Sequence, residues 1–136
     1  MLKPALAVLA FLIATPALAT GKNGSSQSQI GVWEPYEKPK PTQRVVASYY
    51  GHGERLARHT STGEVFNALA LTCAHRTLPF GTLLRVANGD RNVIVRVNDR
   101  GPAAYTGRSI DLSYGAALRI GLVPRGSGPV EIQVLN

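Results

Sequence analysis

The sequence predicts a small, mainly β domain closed into a barrel, with one or two short helices. Three observations lead there. Four segments alternate apolar and polar residues in the manner of half-buried strands: Val45–Tyr50, Thr82–Ala87, Asn92–Asn98 and Val130–Leu135. Two of them are separated by Asn88-Gly89, a tight-hairpin signal in which glycine supplies positive φ. An apolar-Pro-x-Gly tetrapeptide also occurs twice, as Leu78-Pro79-Phe80-Gly81 and Val123-Pro124-Arg125-Gly126. Each copy precedes a strand and follows an alanine- and leucine-containing segment expected to be helical, so the domain has two related halves. Closing the sheet hides edges that a small β domain would otherwise expose.

The elements follow in chain order. Residues 1–19 have the pattern of an export leader: Lys3, an apolar run from Leu6 to Ile13, and Ala17-Leu18-Ala19 before the cut. The run is too short for a comfortable membrane span. No cysteine stands directly after the cut site, so no lipid anchor is expected; the expected product is a soluble monomer of the periplasm or cell envelope. Residues 20–43 form a Gly/Ser/Pro-rich tether, polar from Gly21 to Gln29 and stiffened by Pro35, Pro39 and Pro41. Trp33 and Tyr36 are out of character there, and either fold back or dock elsewhere. The barrel occupies residues 44–136. In its last strand Val130, Ile132 and Val134 share one face, while Glu131 and Gln133 share the other. A short helix is expected at Tyr114–Ile120, capped by Ser113 and stopped by Gly121.

A formal charge of +7 suits an anionic envelope polymer or membrane surface. Nucleic acid is a poor partner: the leader directs the chain away from it, and no basic stripe is studded with aromatics. Cys73 is the sole cysteine, so the chain cannot staple itself, and a small buried hydrophobe is its expected role.

The most informative stretch is Val93-Ile94-Val95-Arg96-Val97-Asn98-Asp99-Arg100-Gly101-Pro102. A strand runs into a carboxylate where Gly101 and Pro102 force a turn, which makes Asp99 both rigidly placed and accessible. The bland reading is an ion pair or an Asx-turn.

Several blocks resemble the rare lipoprotein A family in its own order. They are Ala47-Ser48-Tyr49-Tyr50-Gly51, Thr60-Ser61-Thr62-Gly63-Glu64-Val65-Phe66-Asn67, Leu71-Thr72-Cys73-Ala74-His75-Arg76-Thr77-Leu78-Pro79-Phe80-Gly81-Thr82, Val97–Pro102 and Gly107-Arg108-Ser109-Ile110-Asp111-Leu112-Ser113. Together they cover nearly all of residues 45–135. The resemblance implies a six-stranded double-psi β-barrel. It also implies an endolytic lytic transglycosylase of peptidoglycan glycan strands, which leaves anhydro-muramic ends and needs no cofactor. The chain departs from the family in lacking the lipoprotein cysteine and a C-terminal glycan-binding repeat domain, and in a shorter hairpin at 88–91. The alternative is a non-catalytic, expansin-like polysaccharide-binding module.

Such a reaction needs one group that acts as acid and then as base, because the muramic 6-hydroxyl replaces water as nucleophile. The resemblance carries Asp99, Glu64 and His75 over as catalytic candidates. Asp99 is the principal acid/base and Glu64 its assistant, or the reverse, with convergence of the two raising the acid's pKa. Tyr50, Thr60, Arg100, Arg108 and Tyr105 are the substrate-binding candidates, the arginines for carboxylates and the tyrosines, with Tyr49, for sugar faces. His75 bonds a carboxylate or substrate, or is structural. A Cys73–His75 nucleophile lacks a third group to orient the histidine. Asp111 is expected to pair with Arg100 or Arg108, or to support the helix start. No metal is expected, since His52, His59 and His75 match no compact ligand spacing.

Overall fold

The computed structural model describes residues 38–136. The expected leader, most of the tether, Trp33 and Tyr36 lie outside the described residues. The strands are β1 (Gln43–Tyr50), β2 (Thr72–His75), β3 (Leu83–Asn88), β4 (Arg91–Asp99), β5 (Ile110–Ser113) and β6 (Ser127–Val134), with one helix, α1 (Tyr114–Arg119). Short 3-10 turns occupy Ala104–Thr106 and Val123–Arg125.

The strands close into a barrel in the order β1-β5-β2-β4-β3-β6. β1 runs parallel to β5 and β2 parallel to β4, while the other neighbours are antiparallel. Exchanging β1 with β4, β2 with β5 and β3 with β6 reproduces the same pairing pattern, so the barrel has a twofold logic. The two Pro-Gly tetrapeptides lead into β3 and β6, which are equivalent under that exchange. Only the second copy has a helix upstream; the first is preceded by β2, which corrects the expectation of two helical segments.

Alternation works as expected on β3, β4 and β6. Val93, Val95 and Val97 of β4, Leu84 and Val86 of β3, and Val130 and Ile132 of β6 are buried, while Arg85 and Glu131 between them are exposed. β2 and β5 escape the periodicity analysis. Each is four residues long with three buried, so neither shows a two-residue rhythm. The hairpin is displaced by one residue. Asn88 pairs with Arg91, so the loop is Gly89-Asp90, with only Gly89 (φ 59°) in the left-handed region. Asn88 donates instead to the Ile120 carbonyl (2.9 Å) and ties the hairpin to the helix end.

Ser113 caps α1 by accepting from the Ala116 amide at 3.2 Å, as expected, and Gly121 at φ 69° ends it. Ala116, Ala117, Ile120 and Leu122 are completely buried and extend the strand core formed with Ile110 and Leu112. At the other end of the domain Lys40 already touches the barrel, donating to the Asn136 carbonyl (2.5 Å) and accepting from Gln133 (2.9 Å).

Close approach, rather than backbone freedom, fixes Gly115. A methyl there would lie 2.5 Å from the Leu69 carbonyl oxygen and 2.8 Å from its carbon, and these are backbone atoms with little room to yield. Gly115→Ala is expected to cost about 2 kcal/mol through overpacking, read as a lowered Tm in thermal unfolding.

Candidate functional site

The geometry of Asp99 begins with a register shift. Cys73 of β2 stands opposite Val97, but Ala74 stands opposite Asp99, so Asn98 is an extra residue in β4. Such a bulge re-aims the following side chain. Strict alternation would send Asp99 inward with Val93, Val95 and Val97. Instead Asn98 is buried beside Val97, and Asp99 emerges partly exposed at the strand end. The Gly101-Pro102 bond that follows is cis.

The 60–64 turn fixes one oxygen of that carboxylate. Asp99 Oδ1 accepts from the Ser61 amide (3.0 Å), the Ser61 hydroxyl and the Arg100 amide (2.8 Å). The Ser61 hydroxyl in turn accepts from the Arg100 amide at 3.2 Å. Among the described residues no donor reaches Oδ2. A proton on this carboxyl therefore belongs on Oδ2, since Oδ1 is already occupied as an acceptor.

Glu64, on the same turn, meets a different partner. Arg96 grips it with both guanidinium nitrogens, Nη1 to Oε1 at 2.6 Å and Nη2 to Oε2 at 2.9 Å, and Asn98 Nδ2 lies 3.4 Å from Oε2. Those hydrogen bonds from Arg96, seconded by Asn98, hold the carboxyl down to about 2. The like-charge coupling expected between Glu64 and Asp99 is not what the site contains: the turn brings the two carboxylates to one strand end, but Arg96 neutralises Glu64.

Beside Asp99 opens a cavity of about 150 Å³ lined by Tyr50, Leu56, Ala57, His59, Thr60, Phe66 and Asp99. Tyr50 stacks on Phe66, with ring centres 5.2 Å apart. Thr60 is buried and shares a 2.9 Å hydrogen bond with the Thr62 hydroxyl. Three of the expected site residues, Asp99, Tyr50 and Thr60, thus meet in one place.

The others stand apart from that cavity. His75 Nδ1 accepts from the Thr77 (3.2 Å) and Leu78 (3.1 Å) amides, which puts the ring hydrogen on Nε2. Burial, then the charges of Arg76 and Arg100, lower its pKa and favour the neutral ring. Arg100 donates to the carbonyls of His75 (3.1 Å) and Leu78 (2.8 Å) and lies 3.6 Å over the Phe80 ring, bracing the 75–80 loop. Arg108 donates to Ser48 Oγ (2.8 Å) and stands 3.8 Å from Asp111, the pairing expected for that acid; Ser48 also donates to Asp111. Tyr105 projects into solvent with 92% exposure. Cys73 is fully buried, and burial pushes its thiol up to about 12, so it is a packed hydrophobe and no nucleophile.

Ser61, Arg96, Asn98 and Phe66 were not singled out by sequence reasoning. Arg96 lies on the outward face of an obvious strand, where a solvated charge is the default. Nothing local in the sequence marks Asn98 as a bulge.

A family model described as Lytic transglycolase matches residues 42–132. A probable endolytic peptidoglycan transglycosylase RlpA from Nostoc sp. is 55% identical over 94 residues, covering 67% of this chain and 25% of the relative. The endolytic peptidoglycan transglycosylases RlpA of Campylobacter jejuni and Vibrio cholerae are 49% and 44% identical, over 67% and 70% of this chain. The chain spans 33% and 36% of those two proteins. Among solved structures, a Streptomyces papain inhibitor aligns with TM-score 0.58 at 19% identity, over 72% of this chain and 97% of its own. A Clavibacter michiganensis expansin aligns with TM-score 0.57 at 21% identity, over 71% of this chain and 51% of its own. The six-stranded closed sheet is thus a double-psi β-barrel, and the chain belongs to the lytic transglycolase family.

Proposed function

We propose that this domain is an endolytic lytic transglycosylase that cleaves the glycan strands of peptidoglycan, with Asp99 as its acid and base. The observation that carries the proposal is the half-anchored carboxyl of a cavity-lining residue: Oδ1 is held by three donors and, among the described residues, Oδ2 by none. The names of the relatives, endolytic peptidoglycan transglycosylases, support the same substrate and bond.

The chemistry needs only one such group. Oδ2 gives its proton to the glycosidic oxygen as the bond to the muramic anomeric carbon breaks, leaving an oxocarbenium-like sugar and a carboxylate. The 6-hydroxyl of that sugar then attacks the anomeric carbon and returns its proton to Oδ2. No water is consumed, and Asp99 ends as it began. Glu64, ionised and locked to Arg96, is suited to fixing the 60–64 turn and its local field, not to carrying a proton. His75, with Nδ1 engaged by amides, supports the loop beneath Arg100. Thr60 and Tyr50 wall the cavity for the substrate, whereas Arg108 and Tyr105 would reach only more distant parts of a long glycan. The leader and the export it implies lie outside the described residues; among those residues no helix is long and apolar enough to cross a membrane.

Mass spectrometry of digested sacculi tests the proposal. The wild type is expected to release anhydro-muramic ends. Asp99→Asn is expected to release at least about 100-fold fewer, with its thermal unfolding little changed. Glycan binding without any release, by a folded wild type, would instead favour a binding module.

The Glu64–Arg96 pair makes a separate prediction. Its folded pKa is lowered from 4.5 to about 2, so its stabilisation is complete above 4.5 and is lost as pH falls toward 2. Glu64→Gln should remove that part of the acid decline in a plot of Tm against pH, and a curve identical to wild type would refute the assignment.

A further inference from the structure

Among the described residues, two buried side-chain polar atoms have no hydrogen-bond partner, the Tyr50 hydroxyl and Asn98 Oδ1. Both adjoin Asp99: Asn98 precedes it in the bulge, and Tyr50 lines the same cavity. Buried polar groups are otherwise satisfied almost everywhere in proteins, so a concentration of exceptions at one carboxylate calls for a cause. The two sides are complementary. Tyr50 holds a donor with no acceptor, and Asp99 Oδ2 is an acceptor with no donor. Both residues line the same cavity of about 150 Å³.

We propose that Tyr50 is a positioning residue for Asp99, its buried hydroxyl donating to Oδ2 whenever that oxygen carries charge. The catalytic meaning of the contact rests on the acid/base role given to Asp99; the contact itself does not. One face of the Tyr50 ring is taken by Phe66, which leaves the hydroxyl as the ring's polar offering. Burial, followed by the Asp99 charge, pushes the phenol well above its ordinary range, so it stays a donor at every relevant pH. The other ionisable groups around the hydroxyl are Cys73 on β2 and Asp111 on β5. Cys73 stays protonated, and Asp111 is already engaged by Ser48 and Arg108. His59 shares the cavity wall but is exposed, and Arg100 is spent on carbonyls of the 75–80 loop. In the reaction the hydroxyl would steady the carboxylate formed once the proton has left, and release Oδ2 as the proton returns.

Tyr50→Phe removes only this oxygen and keeps the stacking on Phe66. The variant is expected to fold with a Tm lowered by no more than the few degrees that one hydrogen bond is worth. Its cleavage rate is expected to fall about tenfold, and the alkaline limb of its pH–rate profile to move up by about one pH unit. Independently of turnover, proton NMR of the wild type should show a slowly exchanging Tyr50 hydroxyl resonance that Asp99→Asn displaces or abolishes. A Tyr50→Phe profile of unchanged shape, or a hydroxyl signal indifferent to Asp99→Asn, would overturn the inference. A lowered Tm with an unmoved profile would make the hydroxyl structural and overturn it too. A wild type that shows the hydroxyl link but cleaves no glycan supports the contact and defeats the proposed function alone.

Discussion

One extra residue governs this molecule. The register slip between Cys73 and Ala74 accommodates Asn98 in β4, and with it the alternation of the most regular strand changes phase. Up to Val97 the strand feeds the core. Two positions later, unbroken alternation would bury a carboxylate among valines, a placement that costs several kcal/mol for an unpaired charge. The bulge avoids that cost and turns Asp99 toward a cavity. The 60–64 turn then completes the arrangement: Ser61 and Arg100 anchor one oxygen, while Glu64 clamps the turn to Arg96 on the same strand. The barrel makes this strand end rigid, because β4 is paired on both flanks, with β2 and β3.

Charge is distributed by the same economy. Arginines dominate the domain, yet those around the candidate site are largely committed. Arg96 holds Glu64, Arg100 and Arg76 bind backbone carbonyls, and Arg108 sits against Ser48 and Asp111. Their forked, always-charged heads act here as struts between loops. The consequence is that the Glu64 charge is balanced by Arg96 beside it, while the Asp99 carboxylate is held through the hydrogen bonds to Oδ1.

Much of this was legible in the chain. Strands β4 and β6 announce themselves through Val93/Val95/Val97 and Val130/Ile132, and the Ser113 cap and Gly121 stop bracket the helix to within a residue. Asp99 is recognisable because a rigid strand runs into a forced turn there. What stayed hidden depends on tertiary contact. β2 and β5 are short and buried, so no alternation exposes them. The bulge at Asn98 arises from pairing with a strand more than twenty residues away in sequence. The Glu64–Arg96 clasp joins a turn to a strand face, and nothing near either residue forecasts it. The hairpin missed by one residue because Asn-Gly and Gly-Asp are both good turn dipeptides, and the strand register chose the second.

One carboxyl, half-anchored by the bulge and the 60–64 turn, is proposed to run a reaction in which water takes no part. Digestion of sacculi in isotope-labelled water tests it most directly. Anhydro-muramic ends that carry no label from solvent oxygen are the expected products. Reducing ends bearing that label would show that water is the nucleophile, and would contradict a single-carboxyl transglycosylase.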